Sequence, residues 1–286
     1  MTRDGDCALL FPGQGSPLDG MASVVEGLRP DLLSMLEPRT FERASESTRY
    51  AQPAIFCASL ALLPSALASC GRVGWMAGHS LGEFAALVAA GSLSDVDALR
   101  LVMLRGRLMD ASAGGSGSML ALRGADDVRE AAVEIAFETG TFVANENSLT
   151  QVVLAGHSGA VDEARRIARS RGLRASVLPV RGAFHTPLME SAVEPFAVAL
   201  AQVEVRPPSV PVLSGVTGSP FIDIRGELAA ALTAPVRWTS VLRSLHGLGA
   251  RRFVEVGPGS VLTGLVRKTL DDVEAVAAVE GEPARA

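Results

Sequence analysis

Gly78-His79-Ser80-Leu81-Gly82-Glu83 is the stretch on which the fold turns. It follows a short apolar run, Val73 to Ala77, and opens an Ala-rich segment, Phe84 to Ala90, that stops at Gly91. That order predicts a strand, a tight turn and a helix. Gly78 and Gly82 bracket Ser80 in the G-x-S-x-G spacing of a nucleophile elbow, where a strained turn lifts a serine hydroxyl clear of a sheet. Ser80 and Glu83 also spell a capping box, so the stretch alone reads equally well as a plain helix start.

On the N-terminal side, Cys7 to Phe11 is a short apolar run, expected to be a buried strand, that breaks into Pro12-Gly13-Gln14-Gly15-Ser16-Pro17. A glycine-rich loop at a strand's end is an ordinary turn or one whose main-chain N–H groups face a ligand. Residues 21–49 read as short helices with charged faces, and Gln52-Pro53-Ala54 leads into a helix that ends near Cys70. Beyond the elbow, Ser94 caps a helix over about 95–109. At about 100° per residue, Ala98, Leu101, Val102, Leu108 and Met109 share one face of it with Arg105 at the centre, while Arg100 and Arg107 lie opposite. A guanidinium in an apolar stripe needs an anion, either a carboxylate of the fold or that of a ligand.

Gly114-Gly115-Ser116-Gly117 reads as a hinge. After it come strand 118–122, helix 126–137, strands 141–144 and 151–155, helix 159–171 and strand 174–180, the β-α-β-β-α-β order of a ferredoxin-like unit. The expected fold is therefore α/β. A hydrolase-like large domain with a parallel sheet, residues 1–116 and 182–286, carries an inserted ferredoxin-like subdomain, residues 117–181. Arg165, Arg166, Arg169, Arg171 and Arg174 make a solvated basic face or a docking surface for an acidic protein. The chain re-enters the large domain through Gly182-Ala183-Phe184-His185-Thr186-Pro187, where Thr186 and Pro187 mark a helix start and leave His185 on a strand-to-helix loop. Strands follow at 210–213 and 252–256, and from about Asp271 the tail is acidic and Ala-rich, ending Gly281-Glu-Pro-Ala-Arg-Ala, an end expected to fray.

With 286 residues, 48% of them hydrophobic, the chain can bury a large core. A net charge of −5 argues against a nucleic-acid binder. No apolar run is read as a membrane span, and Met1 to Asp6 lacks the apolar region of a signal peptide. Cys7, Cys57 and Cys70 show neither metal nor disulfide spacing, which favours a reducing, cytoplasmic setting.

Taken in order, FPGQGS (11–16), QPA (52–54), GHSLGE (78–83), GAFHTPLM (182–189) and EVGPGSVLTGL (255–265) resemble the malonyl-CoA:acyl-carrier-protein transacylases and the acyltransferases of polyketide synthases. Asn145-Glu146-Asn147-Ser148, followed by residues 151–157, adds a further matching segment. The resemblance implies Ser80 as nucleophile and His185 as its base, oriented by a main-chain carbonyl that falls at Ala231. It implies an oxyanion hole from the N–H groups of Gln14 and Leu81, and Arg105 as the partner of the malonyl carboxylate. Gln52, Asn147 and Phe184 would line the pocket. Phe184 beside the histidine and Leu81 after the serine accompany malonyl over methylmalonyl, although packing discriminates one methyl group by only about 1–3 kcal/mol. Malonyl-CoA is the implied substrate and a phosphopantetheinylated acyl carrier protein the implied partner, in fatty acid or polyketide biosynthesis. The implied chemistry is ping-pong and needs no metal or bound cofactor.

Ala231 stands where the family often has Gln, Leu149-Thr150 where it often has Pro-Gly, and the segment from Gly15 to Gln52 is short. The last two features hint at a free-standing acyltransferase of a polyketide pathway. An acyl hydrolase clearing carrier proteins would use the same Ser80–His185 pair but has little use for Arg105. The residues also leave open a transferase for a substituted malonyl unit and a non-catalytic docking subunit.

Overall fold

The computed structural model describes residues 7–16, 18–112 and 114–278. The expectations for Met1 to Asp6 and for the extreme C-terminus lie outside the described residues. In chain order the elements begin with β1 (Cys7–Phe11), α1 (Met21–Leu28), α2 (Pro30–Leu33), α3 (Thr48–Ser69), β2 (Val73–Gly78), α4 (Gly82–Ala89) and α5 (Asp95–Ser112). Next come β3 (Gly117–Arg123), α6 (Arg129–Thr139), β4 (Phe142–Ser148), β5 (Gln151–His157), α7 (Ser158–Ser170) and β6 (Arg174–Val177). The chain closes with α8 (Glu190–Ala201), β7 (Val212–Leu213), α9 (Ile224–Ala230), α10 (Trp238–Gly247), β8 (Arg252–Glu255), α11 (Val261–Thr269) and β9 (Glu274–Ala277).

β1 reads as an unbroken apolar run because it lies in the middle of a parallel sheet of order β7-β2-β1-β8-β9, covered on both faces. Its alternation sorts the core. Cys7, Leu9 and Phe11 point into a cluster built with α3, α4, α5 and α8, while Ala8 and Leu10 point into one built with α10 and α11. A second, antiparallel sheet of order β4-β5-β3-β6 carries α6 and α7 on its outer face, over Leu120, Leu122, Val152 and Leu154. The alternate residues, Met119, Ala121, Val153 and Ala155, join the core of the large sheet. The chain enters and leaves this unit at adjacent points, Gly182 N–H donating to Gly117 O at 3.1 Å.

The sheets are also sewn together by main chain. Val236 N–H donates to Ala144 O at 2.9 Å and Glu146 N–H to Val236 O at 2.8 Å, so the segment between α9 and α10 extends the edge of β4.

Several expectations are corrected. After Asp271, where no strand is expected, β9 pairs in parallel with β8, its Val276 packed on the core. The helix expected after Pro53 starts at Thr48, with Ser47 as its N-cap accepting from Arg49 N–H, so Gln52 and Pro53 lie inside α3. Cys7 and Cys70 are joined as a disulfide, because packing α3 across the sheet brings its C-cap to the first residue of β1 although 63 residues separate them. Cys57 is free and buried, and burial pushes its thiol up to about 12. α3 is long and apolar enough to cross a membrane by composition, yet 72% of its apolar window is buried in this core.

Candidate active site

Ser80 sits just past the carboxyl end of β2, where ligand crevices of open parallel sheets form. Its φ of 53° is left-handed, a conformation costly for a residue with a Cβ and held here by its surroundings. Glycine is required on either side. A Cβ on Gly78 would lie 2.0 Å from Glu83 N, and one on Gly82 would lie 2.0 Å from Phe11 O. His185 is strained in the same sense, with φ of 60°.

The two strained residues meet. Ser80 Oγ lies 2.8 Å from His185 Nε2, and His185 Nδ1 lies 2.8 Å from Ala231 O. A carbonyl only accepts, so Nδ1 carries the proton and Nε2 presents its lone pair to the serine hydroxyl. Burial, then the positive charge of Arg105, pulls the imidazole down to about 3, so it is neutral, with its Nε2 lone pair on the serine hydroxyl.

Arg105 is 2% exposed on α5. Its Nη1 donates to Gln52 Oε1 at 2.8 Å and its Nη2 to Ser80 Oγ at 3.0 Å, while Nε has no partner. Among the described residues no carboxylate forms an ion pair with it. Glu83 acts on it only through space, and burial draws the guanidinium down to about 10. The internal salt bridge that the sequence left open is therefore not formed among the described residues.

Gln14, Leu81, Gln52, Asn147 and Phe184 line the same cleft as Ser80, His185 and Arg105, a space of about 620 Å³ open to solvent. Ala231 stands behind the imidazole. Among the described residues, the main-chain N–H groups of Gln14 and Leu81 find no acceptor within the protein. The apolar wall, to which Met119, Val153, Leu178 and Val180 contribute, escapes sequence reasoning, as does Met109. Met109 is within reach of it, since it lies four residues from Arg105 on one helix face. His79, inside the elbow motif itself, donates through Nε2 to Asn147 Oδ1 at 2.9 Å and packs against the Trp238 ring at 5.3 Å, fastening the elbow to β4.

Glu83, the last residue of the motif, is buried and accepts from Gly215 N–H at 2.7 Å; burial raises its carboxyl to about 7. The basic residues 165–174 are elsewhere. α7 lies on the sheet face turned away from the cleft, with Arg171 paired to Glu134 and Glu138 and Arg166 to Glu163.

A strained serine beside a neutral imidazole, vacant N–H donors and a buried cation define the equipment of acyl transfer on an anionic substrate. Residues 34–284 match the family model for the acyl transferase domain, and the chain belongs to that family. It is 37% identical to the malonyl CoA-acyl carrier protein transacylase of Salmonella typhimurium, covering 94% of each chain. It is 38% identical to the polyketide biosynthesis protein ThaF of Burkholderia thailandensis, spanning 92% of this chain but 24% of that protein's length. The crystal structure of FabD from Acinetobacter baumannii superposes with a TM-score of 0.86 at 35% identity, covering 96% of this chain and 94% of that one.

Proposed function

We propose that this protein is a malonyl-CoA:acyl-carrier-protein transacylase of fatty acid or polyketide biosynthesis, working through an acyl-serine. Ser80 Oγ attacks the thioester carbonyl while its proton passes to His185 Nε2. The oxyanion is received by the N–H groups of Gln14 and Leu81. The C–S bond breaks, the CoA sulfur leaves with the proton from Nε2, and malonyl stays on Ser80. The phosphopantetheine thiol of a carrier protein then attacks this ester, giving its proton to His185, which returns it to Ser80 as the new thioester forms.

The observation that carries the reading is the unpaired, buried Arg105 within hydrogen-bond distance of the nucleophile. A malonyl carboxylate supplies the missing anion through two parallel N–H···O bonds and fixes the acyl chain over Ser80. Phe184 and Leu81 narrow the space beside it, which favours malonyl over branched units. The β-α-β-β-α-β order of the small sheet supports its reading as a ferredoxin-like insert bounded near 117 and 181, within a hydrolase-like large domain. The substrates, a CoA thioester and a carrier protein, favour a cytoplasmic setting.

The test is intact-protein mass after brief mixing with malonyl-CoA, acetyl-CoA or methylmalonyl-CoA, for the native chain, Ser80→Ala and Arg105→Ala. A malonyl adduct that needs Ser80, is weakened by Arg105→Ala and leaves on adding carrier protein is the expected result. Ready acetyl labelling, indifferent to Arg105 and discharged by water, would make the protein a hydrolase instead.

A further inference from the structure

Thr48 opens α3 and is 3% exposed, yet its hydroxyl does not cap the helix, since Ser47 accepts from Arg49 N–H in that role. A buried hydroxyl must be satisfied, and this one joins two residues of the cleft. Gln52 Nε2 donates to Thr48 Oγ1 at 2.8 Å, and Thr48 Oγ1 donates to Gln14 Oε1 at 2.8 Å.

The direction of every bond in this chain is forced from one end. Arg105 has only donors, so Gln52 must turn its Oε1 to Nη1. Its amide nitrogen then faces Thr48 Oγ1 and Met109 Sδ. Having accepted from Gln52, the threonine hydroxyl has a single hydrogen left, and it goes to Gln14 Oε1. At the far end, Gln14 sits in the exposed loop after β1, where among the described residues this is the one hydrogen bond that holds its side chain.

We infer that Thr48 is a positioning residue that sets the main-chain N–H of Gln14 for the oxyanion, through a relay Arg105–Gln52–Thr48–Gln14 whose polarity the guanidinium imposes. The inference rests on the proposed acyl-serine chemistry. It ties the group that grips the acyl carboxylate to the loop that receives the oxyanion, so the grip on substrate and the stabilisation of the transition state are held in register by one buried hydroxyl.

The experiment is single-turnover acylation of Ser80 by malonyl-CoA, followed by rapid quench and intact mass, in the full chain and in Thr48→Val, Thr48→Ser, Gln14→Leu and Thr48→Val/Gln14→Leu. Valine keeps the shape and removes the relay. The expected result is a loss of about tenfold or more in acylation rate, part of what a whole oxyanion donor supplies, with KM changed by less than about threefold. Thr48→Ser should stay within about threefold of the native rate. Gln14→Leu, which keeps the main-chain N–H, should lose as much as Thr48→Val, and the double variant should be no slower than the slower single one. The inference is overturned if Thr48→Val acylates within about twofold of the native rate, if only KM rises, if serine does not rescue, or if the two losses multiply. Should Thr48→Val fail to fold, the rate of Gln14→Leu decides, because that side chain is exposed: loss supports the relay, and a native rate overturns it. A native chain that acquires no malonyl on Ser80 overturns the acyl-serine reading and this inference with it. Native labelling beside an unaffected Thr48→Val removes the role of Thr48 alone.

Discussion

Gly82→Ala tests how the elbow and the glycine-rich loop after β1 are fitted to one another. A Cβ at Gly82 would lie 2.0 Å from Phe11 O, 2.6 Å from Phe11 C and 3.0 Å from Pro12 O, whereas ordinary contact begins near 3.4 Å. About 1.4 Å of overlap must therefore be absorbed, and the obstacle is main chain that cannot rotate away. Phe11 O is also the acceptor of His79 N–H at 2.9 Å, so the end of β1 and the turn carrying Ser80 are forced apart together. The loop displaced is the one that carries Gln14. A misplacement of about 1 Å at a catalytic group costs about a hundredfold in rate, and overpacking of this kind costs about 1–3 kcal/mol in stability. The assay is the burst of CoA released on mixing with malonyl-CoA, set beside the melting temperature. Acylation within about threefold of the native rate, with an unchanged melting point, would refute the claim that the elbow and the loop share this contact.

Other expectations concern charge and backbone. Because the Arg105 charge helps hold His185 near 3, a substrate carboxylate that neutralises Arg105 should raise the imidazole, so the acid limb of the acylation rate should sit higher for malonyl-CoA than for acetyl-CoA. Coincident limbs in single-turnover pH profiles would contradict that coupling. Glu83 titrates at about 7 when folded against 4.5 when unperturbed, so its contribution to stability is full below pH 4.5 and falls as pH rises toward 7. Glu83→Gln keeps an acceptor for Gly215 N–H and should therefore gain in melting temperature over the native chain at pH 8 but not at pH 4.5. Gly27→Ala, in α1 with open space around the added methyl, should stabilise by about 0.4–1 kcal/mol in denaturant unfolding, the reverse of Gly82→Ala.

Much of the site is legible because its chemistry is written in short local patterns. The glycine bracket around Ser80 announces a turn that only glycine permits. Helical arithmetic alone puts Arg105 on an apolar face, although its freedom from a carboxylate depends on tertiary packing. What escapes is whatever only long-range assembly decides. β9 is a run of Glu274-Ala-Val-Ala whose strand character comes from the waiting edge of β8, not from its own propensity. The start of α3 is misplaced in sequence because Pro53 reads as a helix-opening residue, whereas the cap lies earlier at Ser47. Met119 and Val153 give no sign of lining a cleft, since a strand residue declares its alternation but not which face meets substrate.

Val236 bears on how such proteins can be recombined. The antiparallel unit β3 to β6 meets the rest of the chain where Gly182 N–H donates to Gly117 O, and it is also sutured without covalent bonds, where residue 236 pads the edge of β4. Main-chain pairing is blind to side-chain identity, so a foreign insert with an open strand at that edge would find its counterpart already present in the recipient. The unit is thus a cassette with two joints and a seam, and a graft that respects the joints but buckles the seam would leave both sheets intact and the cleft between them out of true.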